Sequence, residues 1–165
     1  MRRAVITGSF DPVTSGHEDL IRRAAAMFDA VTVVVLANAE KPSGAFHPDD
    51  RLRFVEETVR DLPNADAMVY HGLTSEAMER IGAKYIVRGA RSGSDFDYEY
   101  DLAQIMKRFD PEIETVILPS RPELSMISST YVRELLKYNS PLGDAVPAAC
   151  REDMLAVWER NGKSE

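Results

Sequence analysis

Three clusters in this chain hold residues suited to handling phosphate. Residues 8–17 read GSFDPVTSGH, with glycines that allow tight turns and one histidine, His17, in the first turn of an expected helix. The free N–H groups and positive dipole end of a helix start make a ready phosphate site, and an imidazole there can donate a hydrogen bond. Arg88 and Arg91 flank Gly89 at the end of an expected strand, and paired guanidinium groups suit bidentate phosphate binding. Ser128, Ser129 and Thr130 open a later helix, where hydroxyls and free N–H groups form an anion nest. No Ser, Cys or Asp nucleophile with a partnering base is apparent, and Cys150 lies far from all three clusters.

Each cluster also has a plain structural reading. Ser15 and Glu18 have the Ser-x-x-Glu spacing of a capping box, so they are expected to build the helix start and leave His17 for chemistry. Asp95 reads as the cap of the helix that follows Arg91, and one of the three hydroxyls at 128–130 as an N-cap. Lys41, in the loop after the second strand, reads by itself as a solvated lysine.

The elements that must position these clusters alternate along the chain. Continuous apolar runs at Ala4–Ile6, Val31–Leu36, Ala67–Tyr70, Tyr85–Val87 and Thr115–Leu118 read as strands covered on both faces. Helical stripes lie between them: Leu20, Ile21, Ala24 and Phe28, then Leu52, Val55, Val59 and Leu62. Further helices are expected over about 74–81, 96–109, 128–136 and 148–159. This order predicts an α/β fold, a doubly wound parallel sheet of five strands with helices on both faces. It forms a single domain over 1–165, with a core at about 4–136 and a C-terminal helical extension at about 141–160. Ligands bind such sheets beyond the C-terminal strand ends, which points to the loops at 7–16, 37–47, 71–74, 88–94 and 119–127.

Composition narrows the partners. The chain has 165 residues, 44% of them apolar and 28% charged, in the range of one globular domain. A formal net charge of −7 argues against nucleic acid and membrane surfaces, which select basic faces. One cysteine excludes an internal disulfide framework and suits the reducing cytoplasm. Met1 leads directly into the first strand without a charged and apolar leader, and no run reaches membrane-spanning length. The expectation is a cytoplasmic protein.

The motifs also carry a resemblance. Gly8-Ser9-Phe10-Asp11-Pro12 followed by Thr14-Ser15-Gly16-His17 resembles the GxFDP…(H/T)xGH signature of the nucleotidyltransferase superfamily. Thr14 is similar to the choice of the phosphopantetheine adenylyltransferase branch. Residues 88–99, RGARSGSDFDYE, resemble that branch's RGxRxxxDFxYE motif, and Ile127-Ser128-Ser129-Thr130 its ISSS motif. The resemblance implies a Rossmann-like fold and transfer of AMP from ATP to 4′-phosphopantetheine, in coenzyme A biosynthesis. It implies direct attack by the acceptor phosphate, with no covalent enzyme intermediate. His17, Lys41 and Ser9 would be catalytic, and Ser9, Lys41, Thr74 and Arg88 would hold the acceptor. Ser9, Phe10, His17, Gly89, Ala90, Arg91, Glu99 and Leu124, Ser125, Met126, Ile127, Ser128, Ser129 and Thr130 would meet ATP. Mg²⁺ would arrive with ATP, held by phosphates and water, since no dedicated carboxylate cluster is seen. A homohexamer and feedback binding of coenzyme A are implied likewise.

The chain departs from the branch at Thr7, where proline is usual, at Leu124, where an aromatic is common, and at Met106, where asparagine is typical. The lysine loop at 39–45 is also looser than usual. Two other readings stay open at this stage. One is another adenylyltransferase, such as one acting on nicotinate mononucleotide. The other is a non-catalytic nucleotide-binding regulator on the same fold.

Overall fold

In a computed structural model describing residues 1–37 and 44–162, the short β-branched runs become parallel strands and the amphipathic stretches between them become helices. The elements are β1 (Arg3–Gly8), α1 (Ser15–Met27), β2 (Ala30–Leu36), α2 (Pro48–Val59), β3 (Ala65–Tyr70), α3 (Thr74–Ile81), β4 (Tyr85–Ala90), α4 (Gly93–Phe109) and β5 (Glu114–Pro119). A 3₁₀ turn over Pro122–Leu124 precedes α5 (Ser129–Lys137) and α6 (Arg151–Gly162). All five expected strands are present, each a little longer than its apolar run.

The sheet order is β3-β2-β1-β4-β5, with every pairing parallel. The chain winds outward from β1 to one edge, then returns to continue from β1 to the other. The topological switch point therefore falls between β1 and β4, where a ligand is expected. The two strands are in register only at Ala4 with Tyr85 and Val5 with Ile86. Beyond those pairs they separate, although β1 runs on to Gly8 and β4 to Ala90.

Strand alternation divides the core between two layers. Ala4, Ile6, Val31, Val33 and Val35 pack with Ile21 and Ala24 of α1, Phe54, Val55 and Val59 of α2, and Val132 and Leu136 of α5. Val5 and Val34 face the other way, toward Ala77 and Met78 of α3, with Met106 of α4 beside them. Leu142, Ala145, Val146, Cys150, Met154 and Val157 join the first layer, so the segment after Pro141 completes the same core. Phe46 stacks at an angle on Trp158 at 5.8 Å between ring centroids. Each fully buried side chain of this size contributes about 1.5–3 kcal/mol of transfer free energy.

Candidate active site

The loop after β1 differs from its expected arrangement at the helix start. Thr14, not Ser15, is the N-cap of α1, and its partner in the capping box is His17. The Thr14 hydroxyl accepts the His17 backbone N–H at 3.3 Å, and the Thr14 N–H donates to His17 Nδ1 at 3.0 Å. Imidazole nitrogen here accepts the cap N–H as a glutamate carboxylate or a glutamine amide oxygen does in the usual box. Ser15 instead turns its hydroxyl to the Asp144 carbonyl, and Glu18 pairs with Arg22 four residues on. The expectation that capping leaves His17 aside is thus overturned.

That cap sets the ring's chemistry. A backbone N–H can only donate, so Nδ1 is the unprotonated nitrogen and Nε2 carries the hydrogen. Burial, with the Arg88 and Arg91 charges behind it, lowers the His17 pKa from 6.5 to about 4. The ring lies against Phe10 edge-on, 4.9 Å between centroids. It is a neutral hydrogen-bond donor held in one orientation.

His17 lines an open cavity of about 430 Å³ at the carboxyl end of the sheet. Gly8, Ser9 and Phe10 form one wall, and Arg88, Gly89 and Arg91 another. Leu124, Ile127, Ser128 and Ser129 close a third. The cavity straddles the gap between β1 and β4.

Arg88 stands in that gap. Its Nε and Nη2 donate to the Glu99 carboxylate at 2.6 and 2.8 Å, and its Nη1 donates to the Thr7 carbonyl at 2.7 Å. The Thr7 hydroxyl lies 3.3 Å from the same Nη1, so the residue that replaces the usual proline adds an acceptor for Arg88. Glu99 is the buried residue of α4, and both its oxygens face Arg88. Arg91 is more exposed and pairs with Asp95 at 3.1 Å. The cap of α4 is Ser92, whose hydroxyl accepts the Asp95 N–H. Asp95, expected as that cap, instead accepts from Arg91, whose backbone N–H and then side chain lower the Asp95 pKa.

The hydroxyls at 128–130 have divided tasks. Ser128 is the N-cap of α5, accepting from Tyr131 N–H. Ser129 donates to the Pro12 carbonyl at 2.8 Å, which ties α5 to the loop after β1. The Thr130 hydroxyl accepts from Arg133 and is outside the cavity wall. Ala90, Ser125 and Met126 are also outside it; Ala90 accepts Ser120 N–H, and the Ser125 hydroxyl donates to the Pro122 carbonyl. Thr74 opens α3 after the edge strand β3 and is not among the residues that line this cavity. Lys41 lies outside the described residues.

The cavity also recruits residues that the motifs did not single out. Leu20 and Arg23 follow His17 at helical spacing on α1 and could have been read from that period. Asp19 accepts from Arg121 at 2.6 Å and from Arg23 at 3.2 Å, while Arg23 also donates to the Pro119 carbonyl. This cluster joins α1 to the end of β5. Among the described residues, no three His, Cys, Asp or Glu side chains gather as a metal-holding set.

Comparison with known proteins bears on the family and the fold. The cytidylyltransferase-like family model matches residues 5–135. A phosphopantetheine adenylyltransferase of Staphylococcus haemolyticus is 41% identical over 145 residues, covering 88% of this chain and 89% of that protein. One of Staphylococcus carnosus is 37% identical over 161 residues, with 98% of each covered. One of Lachnoclostridium phytofermentans is 39% identical over 147 residues, covering 89% of this chain and 90% of the relative. The fold is also similar to a bifunctional NMN adenylyltransferase/ADP ribose pyrophosphatase from Francisella tularensis, crystallised with AMP and a manganese ion. That match has a TM-score of 0.71 at 13% identity, over 96% of this chain and 51% of that one.

Proposed function

The chain belongs to the phosphopantetheine adenylyltransferases, within the cytidylyltransferase-like family, and on that premise we propose how its residues carry the reaction. The enzyme transfers the adenylyl group of ATP to 4′-phosphopantetheine, giving dephospho-coenzyme A and pyrophosphate in coenzyme A biosynthesis. An oxygen of the acceptor phosphate attacks the α-phosphorus of ATP in line, forming the new P–O bond. The bond from the α-phosphorus to the bridging oxygen breaks, and pyrophosphate leaves with its electron pair. The nucleophile is a phosphate already largely ionised near neutral pH, so no protein nucleophile or strong base is required.

The protein's task is placement and charge stabilisation. Arg88, held by Glu99 and Thr7, presents its remaining N–H to the acceptor phosphate. His17 donates its Nε2 hydrogen to the α-phosphoryl oxygen as charge builds there. Arg91, the Ser128 hydroxyl and the backbone N–H groups of Ser129 and Thr130 at the start of α5 take the ATP phosphates, and the Ser9 and Phe10 backbone borders them. Lys41 orients the acceptor phosphate and offsets developing charge, a role that rests on the motif resemblance alone. Mg²⁺ enters as part of the substrate MgATP, the chain's own contribution being arginines and hydroxyls. The observation that carries the reading is His17, its Nδ1 engaged by the Thr14 N–H, lining the same cavity as Arg88 and Arg91.

The assembly belongs to this proposal as well. Helix α4 leaves Phe96, Tyr98, Tyr100, Ile105 and Phe109 exposed, a run of large apolar side chains that copies of this chain would cover. We take the assembly to be the hexamer expected of the family, working in the cytoplasm, where Cys150 stays free. Coenzyme A carries the product's own groups and would bind the same cavity as a feedback ligand. No helix among the described residues is long and apolar enough to cross a membrane.

The test is direct. Purified protein is incubated with ATP, Mg²⁺ and either 4′-phosphopantetheine or nicotinate mononucleotide, and pyrophosphate is measured. Release with phosphopantetheine alone is expected. Release only with the mononucleotide, or with neither, would refute the reading. Light scattering during chromatography should show the hexamer mass, and Ile105→Asp with Phe109→Asp should dissociate it.

A further inference from the structure

Phe10 is a non-glycine residue with φ of 45°, in the left-handed region where a bulky side chain is strained. Such a backbone persists only where its neighbours determine it, and here both flanking residues are pinned. On one side, Arg51 donates through Nη1 to the Ser9 carbonyl at 3.4 Å. On the other, the Asp11 carboxylate accepts the Ala45 and Phe46 N–H groups at 2.8 and 2.9 Å, and Arg133 donates to the Asp11 carbonyl at 2.7 Å.

Asp11 and Arg51 also hold each other. They form a buried ion pair at 3.4 Å, and Arg51 Nε donates to the Phe46 carbonyl at 2.7 Å. The surroundings admit no slack. Gly44 has φ of 135°, and a Cβ there would come within 2.5 Å of both the Arg51 guanidinium and the Asp11 carboxylate. A buried pair this closely packed is expensive to assemble, yet neither residue lines the cavity or serves the transfer step described above.

The consequence of the pinning is the place of the Phe10 ring. It lies over Gly8, where an added Cβ would meet it at 3.4 Å, and edge-on to His17. We propose that Asp11, Arg51 and Arg133 form a brace that fixes Phe10 in its left-handed conformation and through it the orientation of the His17 ring. All three are then positioning residues for adenylyl transfer. This inference rests on the functional reading above for its kinetic part. Its structural part, the fixed His17 ring, stands independently of substrate. If Phe10 relaxes to an ordinary backbone, its ring leaves the imidazole, and the Thr14 N–H to Nδ1 bond loses its lateral support.

The experiment uses Asp11→Asn, Arg51→Lys and Arg133→Gln in the full chain, with ¹⁵N imidazole shifts of His17 recorded without substrate. Wild type should show one tautomer, protonated at Nε2. In the folded Asp11 and Arg51 variants, the shifts should move toward an average of the two tautomers. Their kcat should fall about tenfold or more, with KM for MgATP and phosphopantetheine within about threefold, as for a lost transition-state interaction. A folded variant with unchanged shifts, or with kcat within about twofold of wild type, would overturn the brace. Should both buried-pair variants fail to fold, Arg133→Gln decides, because that residue is half-buried on α5. Moved shifts with kcat reduced at least about threefold support the brace, and anything less overturns it. A wild type that releases no pyrophosphate would sink the functional reading, and the imidazole shifts alone would then settle the brace.

Discussion

Arg88 and Glu99 meet fork to fork, through contacts of 2.6 and 2.8 Å, across the gap where β1 and β4 part. The one sequence motif that contains both resembles a substrate-binding pattern, yet Glu99 spends its two oxygens on the arginine. On the proposed function its effect on substrate would run through Arg88, because an oriented guanidinium loses less freedom when it takes up a phosphate.

Glu99→Gln should therefore weaken use of the acceptor more than use of ATP. The variant leaves a largely buried guanidinium without its counter-charge, which costs about 2–4 kcal/mol of stability. The kcat/KM for phosphopantetheine should drop about 10–100-fold, with a smaller change for ATP. Steady-state kinetics with each substrate varied, beside thermal melts, checks this. An ATP-selective loss would place Glu99 on the nucleotide instead.

The two roles of His17 can be separated by choice of replacement. Glutamine at the third helical position can reach back to the cap N–H as His17 does, whereas alanine cannot. His17→Ala should lose about 1 kcal/mol of stability with the cap, and His17→Gln should retain most of it. Both should lose about 10²–10³-fold in kcat, the cost of removing one transition-state donor. Near-wild-type turnover in His17→Gln would make the ring structural.

The pH behaviour follows from the same ring. Its pKa falls from 6.5 in the unfolded chain to about 4 in the fold, so the unfolded chain binds the extra proton between those values. This contribution is fully present above pH 6.5 and is lost as the pH falls toward 4, reaching about 3 kcal/mol at full extent. Urea midpoints of wild type and His17→Gln should lie closest above pH 6.5, with wild type falling below the variant as the pH drops toward 4. The kcat profile should have no histidine limb near 6.5, since the donor is neutral throughout the working range.

Cys150 offers a probe of stability. Burial pushes its thiol up to about 12, and it is fully enclosed beside Thr58 and the Pro147 carbonyl. A thiol reagent at pH 8 should leave the native protein unlabelled and react stoichiometrically in denaturant. Labelling of the native protein at a rate faster than unfolding would show that α6 opens independently.

The strands and most helices were legible because each is a local pattern. Val31–Leu36 has the length and β-branched content of a strand covered on both faces, and the stripe from Leu20 to Phe28 has the helical period. The helix-start assignment failed for an equally local reason. Ser15 and Glu18 match the usual capping pair, but Thr14 and His17 have the same spacing one residue earlier, and the imidazole can accept the cap N–H. Long-range pairings were beyond reach of spacing. Asp11 meets Arg51 and Asp19 meets Arg121 only after the sheet has brought distant loops together. For residues 88–99, the motif pointed to a stretch that lines the cavity, while the structure shows how its charged members pair with one another, Arg88 with Glu99 and Arg91 with Asp95.

The parting of β1 from β4 bears on how such a site can vary over evolution. The Thr7 carbonyl, released from the sheet ladder, becomes the acceptor that fixes Arg88. That contact belongs to the main chain and is offered by whatever amino acid occupies the position. Replacement of proline by threonine there therefore keeps the carbonyl and adds a hydroxyl. Sites framed by peptide groups tolerate drift in the side chains that flank them, so a lineage can exchange residues along this strand while the chemistry across the gap persists.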